Sequence, residues 1–580
     1  MAAVFQSYGL TPLFLSPAAA RSIDSPLALL PFEKTSINPE GSDDYTRTDI
    51  LLRASVRDAN GDGTAQNLSA KPNYKDVVAV IEVKHRTSEE IQAFAQLIIY
   101  SRNLYGNQHN RRFVWGFTIC GSHVRACVLT SDDIFASAIM DVHTHNGREE
   151  FVSLLMNMSY SKMDQLGYDP TIRLDGNGII KEIDVYNEDT KRMVPYEYVA
   201  MTAIATRCFG RHTRCYLCEN MPLQQGDNGS AGTEFVVVKE SWAYSTRAED
   251  GSDKAEDTRN EALIMQKIAR ALEGNADLDG KYAKFIHGGT VWFDKDGFTE
   301  ENNTDTAFRV LFSPEEQPEF RIYQHLAMTP CCRPLQNLAN VNQLIIAVAD
   351  VMEAHTAIFR ECSILHRDIS LNNMMFRELD DSLVGGVLID FDCAMDLTET
   401  WKTRPERTGT YPYMSINSLE EGSLVKHTQL DDWESLTYVL CWLGATGIND
   451  DDGEAYKCEK WLPIHAWQHD DPAKVAESKR DKLATLNGFV ANILKRFLKP
   501  EYSRLRVLVK KLYTTMFFNR NLSYFSHGTI KIDSLEDEEE EVDFKDCLDK
   551  DDGTELRDPF ERRAKYAEHI ADDLRVILDE

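Results

Sequence analysis

The sequence lacks any uninterrupted apolar run of about 18 residues, so no membrane-spanning helix is expected. It also lacks a basic segment ahead of its opening apolar stretch. Met1 to Phe32 is interrupted by Pro12, Pro17, Pro26 and Pro31, so a flexible arm over residues 1–45 is expected rather than a secretory signal. Cysteine is sparse: 12 are scattered over 580 residues without regular spacing. That pattern excludes a disulfide framework and fits reduced thiols in the cytoplasm or nucleus. Positive charge is short as well, since 63 Lys and Arg against 93 Asp and Glu leave a formal net charge of -30. Such a chain repels nucleic acid as a whole and leaves only a local cleft to bind it. No internal repeat and no G-x-G-x-x-G are present.

What is present is enough chain for two or three folded units. The first is expected over 46–163 as a small α/β unit. Asp76 to Lys84 reads as a buried strand, and Thr87 opens a helix with Glu90 closing a capping box. Ile91, Phe94, Ala95 and Ile98 supply an apolar stripe at helical spacing. Phe113 to Cys120 and Val124 to Leu129 follow as a hairpin. A polar connection over 164–197 leads into a second unit over 198–520. There short strands, including Glu234 to Glu240, precede helices such as Asn342 to Phe359 and Asp432 to Leu443. The last is apolar nearly all round, the mark of a helix buried on every side. The fold class is α+β, ending in an acidic tail over 521–580 whose run Glu536 to Glu541 is a solvated segment.

The chemistry sits in the second unit. His366-Arg367-Asp368 places an aspartate five residues before Asn373, and Asp390 follows Asn373 by seventeen residues at the end of the apolar stretch Val387-Leu388-Ile389. Phosphoryl transfer needs a carboxylate at the acceptor hydroxyl, a carboxylate and an amide for magnesium, and a lysine on the phosphates. Asp368, Asp390 with Asn373, and Lys239 after Val236-Val237-Val238 fill these roles, with Lys239 first in the chain. Glu261, in a helical stretch, is the expected partner of Lys239.

Leu365 to Ser370, Leu388 to Asp392, Gly409 to Ser415, Asp432 to Leu436 and Arg333-Pro334-Leu335 together resemble the fungal-type protein-kinase-like family. The resemblance implies a bilobal kinase-like domain, ATP and Mg2+ as cofactors, and a protein substrate phosphorylated on Ser or Thr. It implies a structural role for Asp432, which would anchor the catalytic loop. Gly210-Arg211-His212-Thr213 is similar to the family's phosphate loop with one glycine replaced, so Gly210 joins the ATP-binding set. Asp392 replaces the glycine after Asp390-Phe391, Ser370 stands where most kinases carry lysine, and Asn417 stands where they carry a glutamate paired with an arginine. These departures keep a pseudokinase scaffold and a small-molecule kinase open as rival readings. Thr403, Thr408 and Thr410 are candidate phosphorylation sites in the activation segment.

Glu82-Val83-Lys84, with Asp49 upstream, is similar to the signature of restriction-nuclease-like folds. There Asp49 and Glu82 would hold magnesium while Lys84 assists the attacking water. A structural remnant or a plain surface pair are the alternatives, and any nucleic-acid partner is expected only through this unit. His85 and Arg86 could extend a polar cleft, whereas Arg111 and Arg112 are expected in solvent. Cys208, His212, Cys215 and Cys218 are too close together in sequence to make a good zinc site.

Overall fold

The computed structural model describes residues 74–517, apart from 132–133, 176–177, 206–208, 221–234, 245–260, 295–298, 302–320, 380–382, 399–408, 422–426, 449–457, 459 and 498–501, together with strands at 27–29, 33–34 and 50–56. The chain divides into two compact units, one formed by residues 1–257 and 286–328, the other by 258–285 and 329–580.

The first unit holds two large sheets and a small hairpin among the described residues. β1 (Leu27–Leu29) and β2 (Glu33–Lys34) pair with β3 (Ile50–Val56), so part of the stretch expected as a free arm is strand. β3 lies antiparallel to β4 (Val77–Lys84), which lies parallel to β5 (Val114–Cys120). β6 (His123–Leu129), β7 (Ile134–Ala136) and β8 (Met140–Asp141) complete this sheet. The parallel pair requires a crossover, which α1 (Glu90–Asn107) supplies; α2 (His145–Tyr160) follows β8.

Three sequence expectations shift here. The helix opens through a 3-10 turn, and Glu89 rather than Glu90 reaches back to the Arg86 amide at 2.9 Å, while Glu90 pairs with Arg125. The buried stripe of α1 is Ala93, Leu97, Tyr100, Ser101 and Leu104, with Ile91 left exposed. That face is selected by the sheet, because Gly116 on β5 opens the space that the Leu97 side chain fills. Arg111 and Arg112 are buried rather than solvated. Arg111 donates to the carbonyls of Leu166, Val77 and Val78 and stacks over Tyr168 at 3.8 Å, so carbonyl dipoles and a π face replace water around its charge.

The second sheet is seven-stranded. β9 (Ile172–Leu174), β10 (Ile180–Asn187), β11 (Arg192–Ile204), β12 (Arg214–Asn220) and β13 (Phe235–Tyr244) run in sequential antiparallel order. β14 (Lys284–Thr290) lies at its other edge, and a hairpin of β15 (Trp292–Asp294) and β16 (Thr299–Glu301) precedes β17 (Arg321–Thr329), which pairs with β13. The stretch 164–197, expected as a connection, therefore contributes strands to this sheet. Its core is Ile183, Val185, Tyr196, Tyr216, Val236, Val238 and Ala327.

The two sheets are joined by buried polar contacts within this unit. Arg214 pairs with Glu240 at 2.5 Å while its other nitrogen reaches the Tyr105 carbonyl at 3.4 Å. Tyr216 donates to the other Glu240 oxygen at 2.6 Å, and Tyr323 donates to Asp169 at 2.7 Å. Burial would lower the Arg214 pKa, but the Glu240 carboxylate outweighs that and holds it above the usual arginine value.

The second unit is mostly helical. α3 (Glu261–Ala271) is followed by β18 (Arg333–Pro334) and the long α4 (Val341–Cys362). β19 (Ile364–Leu365), β20 (Met374–Glu378), β21 (Val384–Leu388) and β22 (Met395–Asp396) carry the loops of interest; β18, β20 and β21 form one sheet, β19 and β22 another. α5 (Ile416–Glu421), α6 (Gln429–Thr446), α7 (Pro472–Leu483), α8 (Leu486–Asn492) and α9 (Ser503–Phe517) complete it. As its composition requires, α6 is buried along almost its whole length. α4 lies directly against β21, where a β-carbon on Gly386 would meet the Ala347 carbonyl oxygen at 1.8 Å. The acidic run at 536–541 lies outside the described residues.

Candidate active site

The loop between β19 and β20 carries His366 to Asn373, and Asp390 lies just beyond β21. Asp432 on α6 organises this loop. One of its oxygens accepts from the His366 amide at 3.2 Å and from His355 Nε2 at 2.7 Å; the other accepts from the Arg367 amide and His427 Nε2, both at 3.0 Å. Burial alone would raise its pKa, but the two imidazoles outweigh that and hold the carboxyl far below the usual range. The anchoring role expected for Asp432 is therefore what its geometry performs.

Arg367 and Asp390 both adopt left-handed backbone, each with φ 66°. Non-glycine residues there carry strain that the surroundings must impose. For Arg367 the restraint is Asp432; beside Asp390, Phe391 is buried against the His366 ring at 5.2 Å. His366 links the two loops. Its Nδ1 accepts from the Asp368 amide at 3.3 Å and its Nε2 donates to the Ile389 carbonyl at 3.0 Å. Burial pushes its pKa down, which keeps the ring neutral with one donor and one acceptor, the form this bridge requires.

Asp368 accepts from Asn373 Nδ2 at 3.0 Å on one oxygen; on the other it accepts the Thr410 amide at 3.1 Å and the Thr410 hydroxyl at 3.0 Å. Asn373 Nδ2 also donates to the Asp368 carbonyl at 2.8 Å, so its amide oxygen is the end left for a ligand. Thr410 was read in the sequence only as a phosphorylation candidate; the structure makes it a partner of Asp368. Thr403 and Thr408 lie outside the described residues.

Glu261, Asp390 and Asp392 each offer a carboxylate oxygen, all within 4.8 Å of one another. Hard oxygen donors of this kind suit Mg2+. Glu261 is buried and accepts the Phe391 amide at 3.2 Å, which ties α3 to the Asp390 loop. Ser370 is buried, and its hydroxyl has no hydrogen-bond partner among the described residues.

In the first unit, Lys239 lies on β13 opposite Cys215 and Leu326 and is buried. The Gly210 amide, expected to face phosphate, donates to the Ser131 carbonyl at 2.8 Å. His212 is buried with φ 46°, its ring edge-on to Tyr105 of α1 at 4.5 Å. Cys215 and Cys218 are three residues apart on β12 and so point to opposite faces, which excludes a shared metal. Cys208 lies outside the described residues.

Glu82 is buried at the end of β4, holding Lys84 Nζ at 2.5 Å on one oxygen and the Tyr100 hydroxyl at 2.9 Å on the other. Asp49 lies outside the described residues. The reading of Glu82 and Lys84 as a plain surface pair fails on the burial of Glu82.

A family model described as fungal protein kinase matches residues 55–444. The chain belongs to this family. The match covers about two-thirds of the sequence and includes Glu82, Lys239, Glu261, Asp368, Asn373, Asp390 and Asp432. It begins at the end of β3, so it spans most of the N-terminal α/β unit, and it stops within α6. None of the curated proteins compared with the chain matches it.

Proposed function

We infer that this protein is an ATP- and Mg2+-dependent phosphotransferase, bilobal in arrangement, acting on Ser or Thr hydroxyls of a protein. The observation that carries the reading is the hydroxyl contact at Asp368. Its carboxylate already accepts an alcohol O–H at 3.0 Å, from Thr410, which is the interaction an acceptor hydroxyl requires. Asp368 would orient that hydroxyl and take its proton as the new O–P bond forms. Asp390 and the Asn373 amide oxygen would hold Mg2+, with the Glu261 and Asp392 carboxylates beside them. Lys239 would hold the phosphates. Bound Mg2+ supplies neutralisation of charge on the transferring group. The pinned His366 bridge fixes the spacing of the two carboxylate loops before substrate arrives, which is where preorganisation lowers the barrier.

The test is a thermal-shift titration with ATP and Mg2+ on the wild type and on Asp390→Ala, together with transfer from labelled ATP to dephosphorylated casein and to a metabolite mixture. The expected result is a Mg2+-dependent shift lost in Asp390→Ala and casein labelling lost in Asp368→Asn. No shift and no transfer would leave the scaffold reading; transfer only to metabolites would leave the small-molecule kinase.

The buried Glu82, closed by Lys84 and Tyr100 at the end of a strand paired in parallel, supports a second reading for the N-terminal unit alone, that of a magnesium-dependent nuclease-like module. Cleavage of DNA or RNA by wild type but not by Glu82→Ala or Lys84→Ala is its signature. Absent or unchanged cleavage eliminates it.

A further inference from the structure

The loop Thr410 to Ser415 must stay in place, because its first residue holds Asp368 through two hydrogen bonds. In kinases the far end of this loop is fixed by a carboxylate–guanidinium pair, and here Asn417 occupies the carboxylate position and donates to Asp431 at 3.3 Å. A different group reaches the loop from α7. The buried stripe of α7 is Val475, Ala476, Lys479 and Leu483, so a lysine occupies a core position of an amphipathic helix. Lys479 is fully buried; its Nζ donates to the Met414 carbonyl at 2.6 Å and the Tyr411 carbonyl at 3.4 Å. It also lies 3.9 Å from the Tyr438 ring centroid and 5.5 Å from that of Trp467.

An apolar residue would pack this stripe with no desolvation cost, whereas a buried amine is tolerated only when its donors are used. The groups that use them are two carbonyls of one loop, so the loop accounts for the lysine. From the other side Glu434 accepts the Ile416 amide at 2.8 Å and the Tyr438 hydroxyl at 2.6 Å, and Ser415 donates to Asp431 at 2.8 Å. We propose that Lys479 is the positioning residue of the acceptor-binding loop: it fixes Tyr411 to Met414, hence Thr410, hence the carboxylate of Asp368. Lys479 lies beyond the stretch matched by the family model. The proposal rests on the phosphotransferase reading.

Lys479→Met removes the donors and nearly keeps the volume. Amide exchange at Tyr413, Met414 and Ile416 should quicken about tenfold or more while that of α6 stays unchanged. With dephosphorylated casein as acceptor, KM for casein should rise about tenfold with KM for ATP unchanged, since only the acceptor side is loosened. Lys479→Arg, which keeps donors on a long arm, should restore part of both. Unchanged exchange in a folded Lys479→Met protein overturns the proposal, as does an equal loss for ATP and casein. If Lys479→Met does not fold, Lys479→Gln is read by the same two criteria. A wild type that transfers no phosphoryl group removes the phosphotransferase reading instead, and the exchange measurement alone then decides whether Lys479 holds the loop.

Discussion

Replacing Asp432 by alanine tests the architecture of the site most directly. The carboxylate accepts two backbone amides and two imidazoles, all of them buried or nearly so. A buried donor left without its acceptor costs about 1–3 kcal/mol, so the His366 and Arg367 amides alone account for about 2–6 kcal/mol. Breaking a buried charged pair by removing one partner costs about 3–5 kcal/mol, which gives the same range by a second route. We therefore expect Asp432→Ala to lose about 4 kcal/mol, a large share of the about 5–15 kcal/mol that holds a typical domain together. The strained Arg367 backbone, no longer restrained from α6, should relax as well. Urea unfolding followed by tryptophan fluorescence reads the stability, and hydrogen exchange across 364–375 reads the loop. The pH dependence has a definite sign. The folded-state pKa is depressed, so the stabilisation is complete above the unfolded value near 3.8 and is lost as pH falls below about 4. A loss under about 1 kcal/mol, with exchange in 364–375 unchanged, would refute the claim that Asp432 organises the loop.

Glu434 should give the opposite pH signature: burial raises its carboxyl from 4.5 to about 7, against the hydrogen bonds from Tyr438 and Ile416. Between about pH 4.5 and 7 the folded state holds the extra proton, so stability should fall by up to about 3 kcal/mol as pH rises through that window. Glu434→Gln should flatten that slope in pH-dependent urea titrations, and a slope that persists refutes the assignment. Gly386→Ala places a β-carbon 1.8 Å from the Ala347 carbonyl oxygen and must force α4 away from β21. A cost of about 3 kcal/mol or more is expected, and a melting temperature within a degree of wild type would show that the helix yields freely.

The loops of the second unit were legible because their residues sit in short motifs with fixed spacing. Asn373 holds Asp368, and the Ile389 amide next to Asp390 donates to the Asn373 carbonyl, so the two motif loops adjoin; the all-round apolar pattern of α6 told correctly that it is buried. The failures share one cause: contacts made across long sequence separations. The stripe of α1 was half right: Phe94 and Ile98 pack against the core, but Ile91 and Ala95 are exposed because the buried centre, Leu97, is chosen by a glycine on β5 and not by the spacing within the helix. Arg111 looked like a solvent residue because its partners are carbonyls up to 55 residues away, and carbonyls leave no mark in a sequence. Lys479 did leave one, as a lysine on the stripe Val475, Ala476 and Leu483. Read as helical phase alone, it is a misplaced polar residue; only the loop carbonyls explain it.

The buried contacts of β12 with α1 also set where this protein can be divided. A chain trimmed to start at Tyr198 would strip Tyr105 from the His212 ring, its carbonyl from Arg214, the Ser131 carbonyl from the Gly210 amide and Asp169 from Tyr323. It would also remove β9 and β10 from the edge of the seven-stranded sheet. What is left is a sheet with an open edge and an Arg214 that keeps Glu240 but loses the Tyr105 carbonyl. The residues before Tyr198 in effect cover polar groups of the seven-stranded sheet, so recombination or proteolysis that separates the two should yield aggregation rather than an autonomously folded fragment.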